Sequence, residues 1–331
     1  MRRTASVLPL IVLGLGVFAL VFGQLLDRYV EPRVKRTPVD VVTDSVLTGT
    51  GSYFDTGALE TVHGKRITIT RRIVGDVAAA ERSGNAVWNV STQIDTPATL
   101  PLRDPHRSLQ WTTERWVTDR RTNLPVHCCG EQPSFRGDAY LKFPFDVQKR
   151  TYRWWDGVLG AAVPLKFSGT EKVLGHEGYR FTAAVPPRRT GVTREVPGAL
   201  VGRPKQRQVT AEEWYANARI ELVVERRTGR IMNARIAPKI TLRAPGARYD
   251  AVTLLASDRL EFTDATRRTQ VSQTARDSRR LEVLGETAPT LSTVAGGMLA
   301  AAGLALLVRA RRRQAAVAED AQGVYSTHTG D

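Results

Sequence analysis

Two apolar segments bracket a long polar middle, and they restrict what this chain can fold into more than any other feature. Val7 to Leu26 carries no charge, with Gln24 its only strongly polar side chain, and Leu291 to Val308 is likewise uncharged. A helix rises about 1.5 Å per residue, so roughly 20 residues cross the ~30 Å hydrocarbon core of a bilayer. Each segment is close to that length. Two crossings return the chain to its starting face, so everything between them lies on one side of a membrane.

The flanking charges orient it. Arg2 and Arg3 precede the first segment, and Arg309, Arg311, Arg312 and Arg313 follow the second. Positive residues in short flanks stay cytoplasmic, which places both termini inside and the middle outside. The expected order is a cytoplasmic N-terminus (1–6), a transmembrane helix (7–26) and a linker (27–42) containing Pro32 and Pro38. A first extracytoplasmic β unit (43–139) and a second (140–262) follow. A helical stalk (263–290) with Asp264 as candidate N-cap, a transmembrane helix (291–308) and a basic cytoplasmic tail (309–331) complete it. A cleaved signal peptide is the rival reading of the first segment, but the run is long for one and no clear small-x-small cleavage site follows. Either way the middle is exported to the cell-membrane exterior.

Strand signals dominate that middle. Ile67–Thr70 alternates apolar and polar residues, and Ala86–Val90, Trp111–Thr118, Tyr140–Phe145, Gly178–Val185, Ile220–Glu225 and Ile231–Ile236 are short, apolar-rich or aromatic-rich and bounded by turn residues. That predicts an α+β fold, mainly antiparallel β with curved sheets, between two terminal transmembrane helices. Pro186 to Thr210 is rich in proline, glycine and basic residues and reads as a long surface loop. Its Arg188, Arg189, Arg194, Arg203, Lys205 and Arg207 make it the candidate contact for an anionic partner. A faint repeat suggests two related β units: Arg115–Asn123 aligns with Glu221–Gly229 through an apolar strand, an acid, Arg-Arg-Thr and a residue tolerant of positive φ.

Small residues mark helix faces. Ala19 and Gly23, and Gly297, Ala301 and Ala305, are candidate packing positions, because spacing by four lets helix backbones approach. They would serve pairing within the chain or a homo-oligomer. The formal net charge is +15, and a basic exported surface would attract anionic lipid or wall polymer. It argues against nucleic acid, which lies on the other side of the membrane.

Known chemistry is scarce. Cys128 and Cys129 are adjacent, a candidate redox pair, a turn-stiffening bridge or two unpaired thiols. His127 beside them lacks the spaced partners a zinc site needs. No nucleophile elbow, His-Glu-x-x-His, P-loop or dinucleotide glycine pattern occurs, so no catalytic, cofactor or metal residue is assigned and no cofactor is expected. Asp156, after Trp154-Trp155, is the carboxylate with the most unusual expected surroundings, although aromatic neighbours of this kind more often mark a packed strand end.

Lys142–Lys149 (KFPFDVQK), Thr151–Asp156 (TYRWWD), Val196–Leu200 (VPGAL), Trp214–Asn217 (WYAN) and the strand into Arg227-Thr-Gly229 resemble a family of actinobacterial two-pass membrane proteins of unknown function, also catalogued as PorA-family porins. The resemblance implies an envelope location and brings no catalytic or binding residues. Val173–Phe181 followed by a strand ending Glu-Arg-Arg-Thr-Gly is similar in cadence to lipoprotein-sorting and anti-sigma-regulator β domains, whose curved sheets cradle acyl chains. The expected function is a non-enzymatic, membrane-anchored envelope protein whose exported β domain binds lipid, anionic polymer or a protein partner. The alternatives are a porin-like pore, which two spans without a polar face serve poorly, and an undetected envelope enzyme.

Overall fold

A computed structural model describes residues 7–326, so the expected N-terminal flank (1–6) and residues 327–331 of the tail lie outside the described residues. Residues 36–278 form one compact unit, and the described residues of 1–35 and 279–331 form another.

The helical unit contains α1 (Leu8–Leu25), a π-helical turn (Leu26–Val30), α2 (Glu31–Val34), a second π turn (Val283–Thr287) and α5 (Ala288–Ser326). Both long helices have the length and apolar composition to cross a membrane, and Leu8, Phe18, Leu291 and Met298 keep their apolar side chains exposed. The buried face of α1 runs through Pro9, Gly16 and Gly23. A Cβ on Gly16 would lie 2.3 Å from the Ala300 nitrogen, one on Gly296 2.7 Å from the Leu20 nitrogen, and one on Gly303 2.6 Å from the Leu13 nitrogen. The backbones therefore touch at these glycines.

Within the chain, the packing face on α5 differs from the expected one. Space beside Gly297 is open and Ala301 and Ala305 are exposed; the contact runs through Gly296, Ala300 and Gly303 instead. A step of four residues rotates about 40° off a face, whereas a step of seven drifts only about 20°. On α1, Gly23 does meet the partner helix, 2.8 Å from Thr293 Oγ1, and Ala19 lies 3.1 Å from a Cβ placed on Gly296.

The other unit is built on one antiparallel sheet of eleven strands: β1 (Val42–Asp55), β2 (Glu60–Gly75), β3 (Ala86–Asp95), β4 (Gln110–Thr118), β5 (Tyr152–Asp156), β6 (Ala161–Val173), β7 (His176–Pro197), β8 (Gln208–Val224), β9 (Ile231–Arg243), β10 (Val252–Ala256) and β11 (Leu260–Phe262). Their order is β4-β3-β2-β1-β10-β9-β8-β7-β6-β5, with β11 pairing β1 and β9. Two helices accompany them, α3 (Val77–Ser83) and α4 (Asp264–Glu282). The two expected β units are therefore one structural body, because β10 and β11 at the end of the chain pair with β1 at its start.

The sheet curls until its ends nearly meet. Trp116 on edge strand β4 and Trp154 on edge strand β5 both pack on Tyr140, each with ring centroids 6.1 Å away. Tyr140 belongs to the long loop 119–151, which fills the gap between the edges. Gln132 exchanges two backbone hydrogen bonds with Arg115 of β4, while Ala139 accepts from the Trp155 nitrogen of β5 and donates to Arg153. The loop thus satisfies both edges, which would otherwise offer unpaired backbone groups to other chains.

Three further expectations need correction. Tyr140–Phe145 is not a strand; the Phe143 nitrogen donates to the Gly229 carbonyl, and Asp146 has φ +53°. Its aromatic side chains make it a plug, with Phe143 fully buried against Tyr152 and Phe181 at 5.1 Å each. Pro186 to Thr210 is largely a hairpin rather than a loop, since β7 and β8 pair as far as Pro197 and Gln208. Pro186 and Pro187 fall in a register break between Val185 and Arg188, where the ladder demands no N–H. Finally, α4 is capped by Thr263, whose Oγ1 accepts from the Thr266 nitrogen at 3.2 Å; Asp264 is its first residue.

Candidate ligand cavity

Strand periodicity builds the site. On β2 the inward positions are Ile67, Ile69, Arg71 and Ile73, and on β4 they are Gln110, Thr112, Glu114 and Trp116. On β8, Tyr215 and Asn217 precede Ile220 and Leu222, with a register shift between Asn217 and Ile220. Arg71, Glu114, Tyr215 and Asn217 thus stand at inward positions that a simple core would fill with apolar side chains. Together with Ile69, Ile73, Ile94, Ile240, Leu255 and Phe262 they line a cavity of about 290 Å³. Alternation on these strands gives it a mainly apolar wall with a few convergent polar groups, the usual make-up of a small-molecule pocket.

Most of the polar groups are matched to one another. Tyr140 donates to Glu114 Oε2 at 2.5 Å, and Tyr215 donates to Asp156 Oδ2 at 2.9 Å. Asp156 Oδ1 accepts from the backbone nitrogens of Val158 and Leu159, and Asn217 Nδ2 donates to the Tyr215 oxygen at 3.0 Å. Burial pushes the Asp156 carboxyl above the ordinary carboxylate range despite these bonds. Burial also raises the Tyr140 and Tyr215 hydroxyls, reinforced at Tyr215 by the Asp156 charge. Both phenols therefore remain donors at neutral pH. Arg71 gives its Nε to Thr92 at 3.2 Å and lies 5.3 Å over the Tyr140 ring.

Lys142 is different. It enters the wall from loop 119–151, held between Tyr140 and Phe143. Its Nζ donates to Thr37 Oγ1 at 3.3 Å and lies 4.1 Å from the Phe145 ring centroid. Burial and the nearby Arg230 charge lower its pKa to about 7, against the opposing pull of Asp277 and Glu225. Arg230 donates to Gln273 Oε1 at 2.9 Å and Asp277 Oδ2 at 3.1 Å, both on α4.

The residues singled out in the sequence fall in several places. Asp156 lines the cavity. Cys128 and Cys129 are joined as a disulfide and pack near Ala79, Val87 and Val117, away from the cavity wall. His127 bonds Glu131 at 2.9 Å. In the basic hairpin, Arg189 pairs with Glu212 at 3.2 Å and Arg194 with Glu213 at 2.8 Å, whereas Arg188, Arg203, Lys205 and Arg207 are exposed. No group of three or more His, Cys, Asp or Glu suited to a metal occurs among the described residues. Arg71, Glu114, Tyr215 and Lys142 were not singled out. Arg71 carried a signal, a charge at an inward position of an alternating strand.

The profile of a family described as Porin PorA matches residues 8–305. A protein named Porin PorA from Corynebacterium resistens is 25% identical over 229 residues, which covers 56% of this chain and 54% of that protein. The chain spans about half the length of this curated relative.

Proposed function

This chain belongs to the PorA porin family, and on that footing we propose that it is a membrane-anchored cell-envelope protein whose β domain holds the apolar part of an amphipathic ligand. The single observation that carries this reading is the cavity of about 290 Å³ inside the curled sheet. A packed core would have closed that space, because interiors otherwise approach crystal density. In this reading α1 and α5 cross the cell membrane, Arg2, Arg3 and Arg309–Arg313 keep both termini cytoplasmic, and the β domain faces outward. The protein acts by binding, not by catalysis. The exposed cations of the β7–β8 hairpin tip serve contact with anionic lipid or wall polymer.

Native mass spectrometry of the full chain released from nanodiscs tests it. The expected result is a bound amphiphile that Ile69→Trp, projecting into the cavity, reduces at least severalfold. An empty wild-type chain under conditions that preserve known lipid adducts on a control protein overturns the reading.

The family description and the name of the Corynebacterium resistens relative favour a second reading, pore formation. Gln24 is the only strongly polar side chain of α1, so a water-filled path would have to form between several copies. Discrete conductance steps in planar bilayers, abolished by crowding substitutions at the α1–α5 contact, would support the pore. Silence with an active control porin would exclude it.

A further inference from the structure

The cavity's polar groups are not equally satisfied, and the imbalance identifies the charge of what enters. This inference rests on the ligand-holding reading above. Both carboxylates in the wall are already engaged: Glu114 accepts the Tyr140 hydroxyl, and Asp156 accepts the Tyr215 hydroxyl and two backbone N–H groups. The charged side chains of the wall are three cations, Arg71, Lys142 and Arg230, against these two carboxylates. The Lys142 ammonium has three donors and gives one, to Thr37. Its other close neighbour is the Phe145 ring, and it forms no ion pair among the described residues.

A cation in an apolar wall is costly unless an anion accompanies it. Among the nearby charges Arg230 acts on Lys142 unfavourably while Asp277 and Glu225 act favourably. Arg230 itself faces Gln273 and Asp277, however, and neither acid forms an ion pair with Lys142. A carboxylate or phosphate oxygen at Lys142 would supply the missing acceptor in a charge-assisted bond. The rest of the wall, with Ile69, Ile73, Ile94, Ile240, Leu255 and Phe262, is apolar and suits an alkyl portion.

The geometry points to Lys142 as the head-group anchor of an anionic amphiphile, a carboxylate or phosphate monoester carrying an alkyl portion.

Photoaffinity labelling of the full chain in nanodiscs tests this with two probes, a diazirine analogue of dodecanoic acid and the matching analogue of dodecanol. Labelled peptides are located by mass spectrometry. In the wild type, the acid should label cavity strands β2, β8 and β9 at about tenfold lower concentration than the alcohol. Lys142→Met should erase that preference while alcohol labelling of the same peptides persists, and Lys142→Arg should restore it. Equal labelling by acid and alcohol in the wild type, or an acid preference that survives in Lys142→Met, overturns the anchor and leaves the cavity reading standing. Cavity peptides labelled by neither probe overturn both.

Discussion

Asp119 and Glu225 occupy equivalent places in two copies of one turn. Asp119 accepts from the Arg121 and Thr122 nitrogens and the Thr122 hydroxyl at 2.9, 2.7 and 3.0 Å. Glu225 accepts from the Arg227 and Thr228 nitrogens and the Thr228 hydroxyl at 3.1, 2.7 and 2.7 Å. Each turn closes four residues on, by a bond from the Asn123 or Gly229 nitrogen to the acid's carbonyl, with φ +62° and +69°. The plug loop is pinned between them. Asn123 Nδ2 donates to the Phe143 carbonyl at 2.9 Å, and the Phe143 nitrogen donates to the Gly229 carbonyl at 2.8 Å. Glycine is required at 229, where a Cβ would lie 2.3 Å from that same Phe143 oxygen.

The two acids should differ in importance. Glu225 is only 6% exposed and also accepts from the Ser278 hydroxyl at 3.0 Å, so Glu225→Ala leaves several buried donors unpaired. A loss of about 2–3 kcal/mol is expected. Asp119→Ala, at a more accessible turn, should cost about 1 kcal/mol. Urea unfolding of the purified full chain, followed by tryptophan fluorescence, measures both; equal costs would show that the turns are not the separate supports described here.

The helix contact makes a sharper test of packing. Gly296→Leu places a branched side chain where a Cβ alone would meet the Leu20 nitrogen at 2.7 Å and the Gly16 carbonyl at 2.9 Å. Gly297→Leu, one residue away, enters open space. Spin labels on the exposed Leu10 and Leu306 should therefore report a longer and broader distance in Gly296→Leu and an unchanged one in Gly297→Leu. The opposite pattern would return the contact to the face through Ala301 and Ala305.

Period and punctuation carried much of this fold. Ile67–Thr70 and Ile231–Ile236 are strands, and the uncharged run Val7–Leu26 is helical from Leu8 onward. Asp156 stood out because two tryptophans precede it. Arg71 was equally visible in principle, since it breaks the apolar set Ile67, Ile69 and Ile73 of an inward face, whereas Glu114 shares its face with Gln110 and Thr112, which reads as a solvated side until the sheet is known to curl. The curl itself depends on Tyr140 meeting Trp116 and Trp154, contacts distant in sequence that no local pattern reports. Lys142 was hidden for a related reason: it lies in a loop without periodicity, and the burial of Tyr140 and Phe143 on either side places it. The prolines of the β7–β8 hairpin misled in the other direction, because a register break accommodates them without ending the strand.

Lys142 should leave a signature in the pH dependence of stability even without ligand. Its folded pKa is lowered to about 7 by burial and by Arg230, with Asp277 and Glu225 opposing, while an unfolded lysine titrates near ~10.4. Between these values the unfolded chain binds a proton that the folded chain has released, so stability rises with pH across that window and is flat, at its lower level, below pH ~7. Lys142→Met removes the cation from the wall and should be more stable than wild type at pH 7, by about 1 kcal/mol or more. The advantage should shrink steadily toward pH 10, as the wild type gains what the variant already has. Denaturation series on both proteins from pH 6 to 10, in ligand-free detergent, would show the curves converging. Parallel curves would mean that the Lys142 amine titrates as an ordinary surface lysine, with no desolvated charge in the wall.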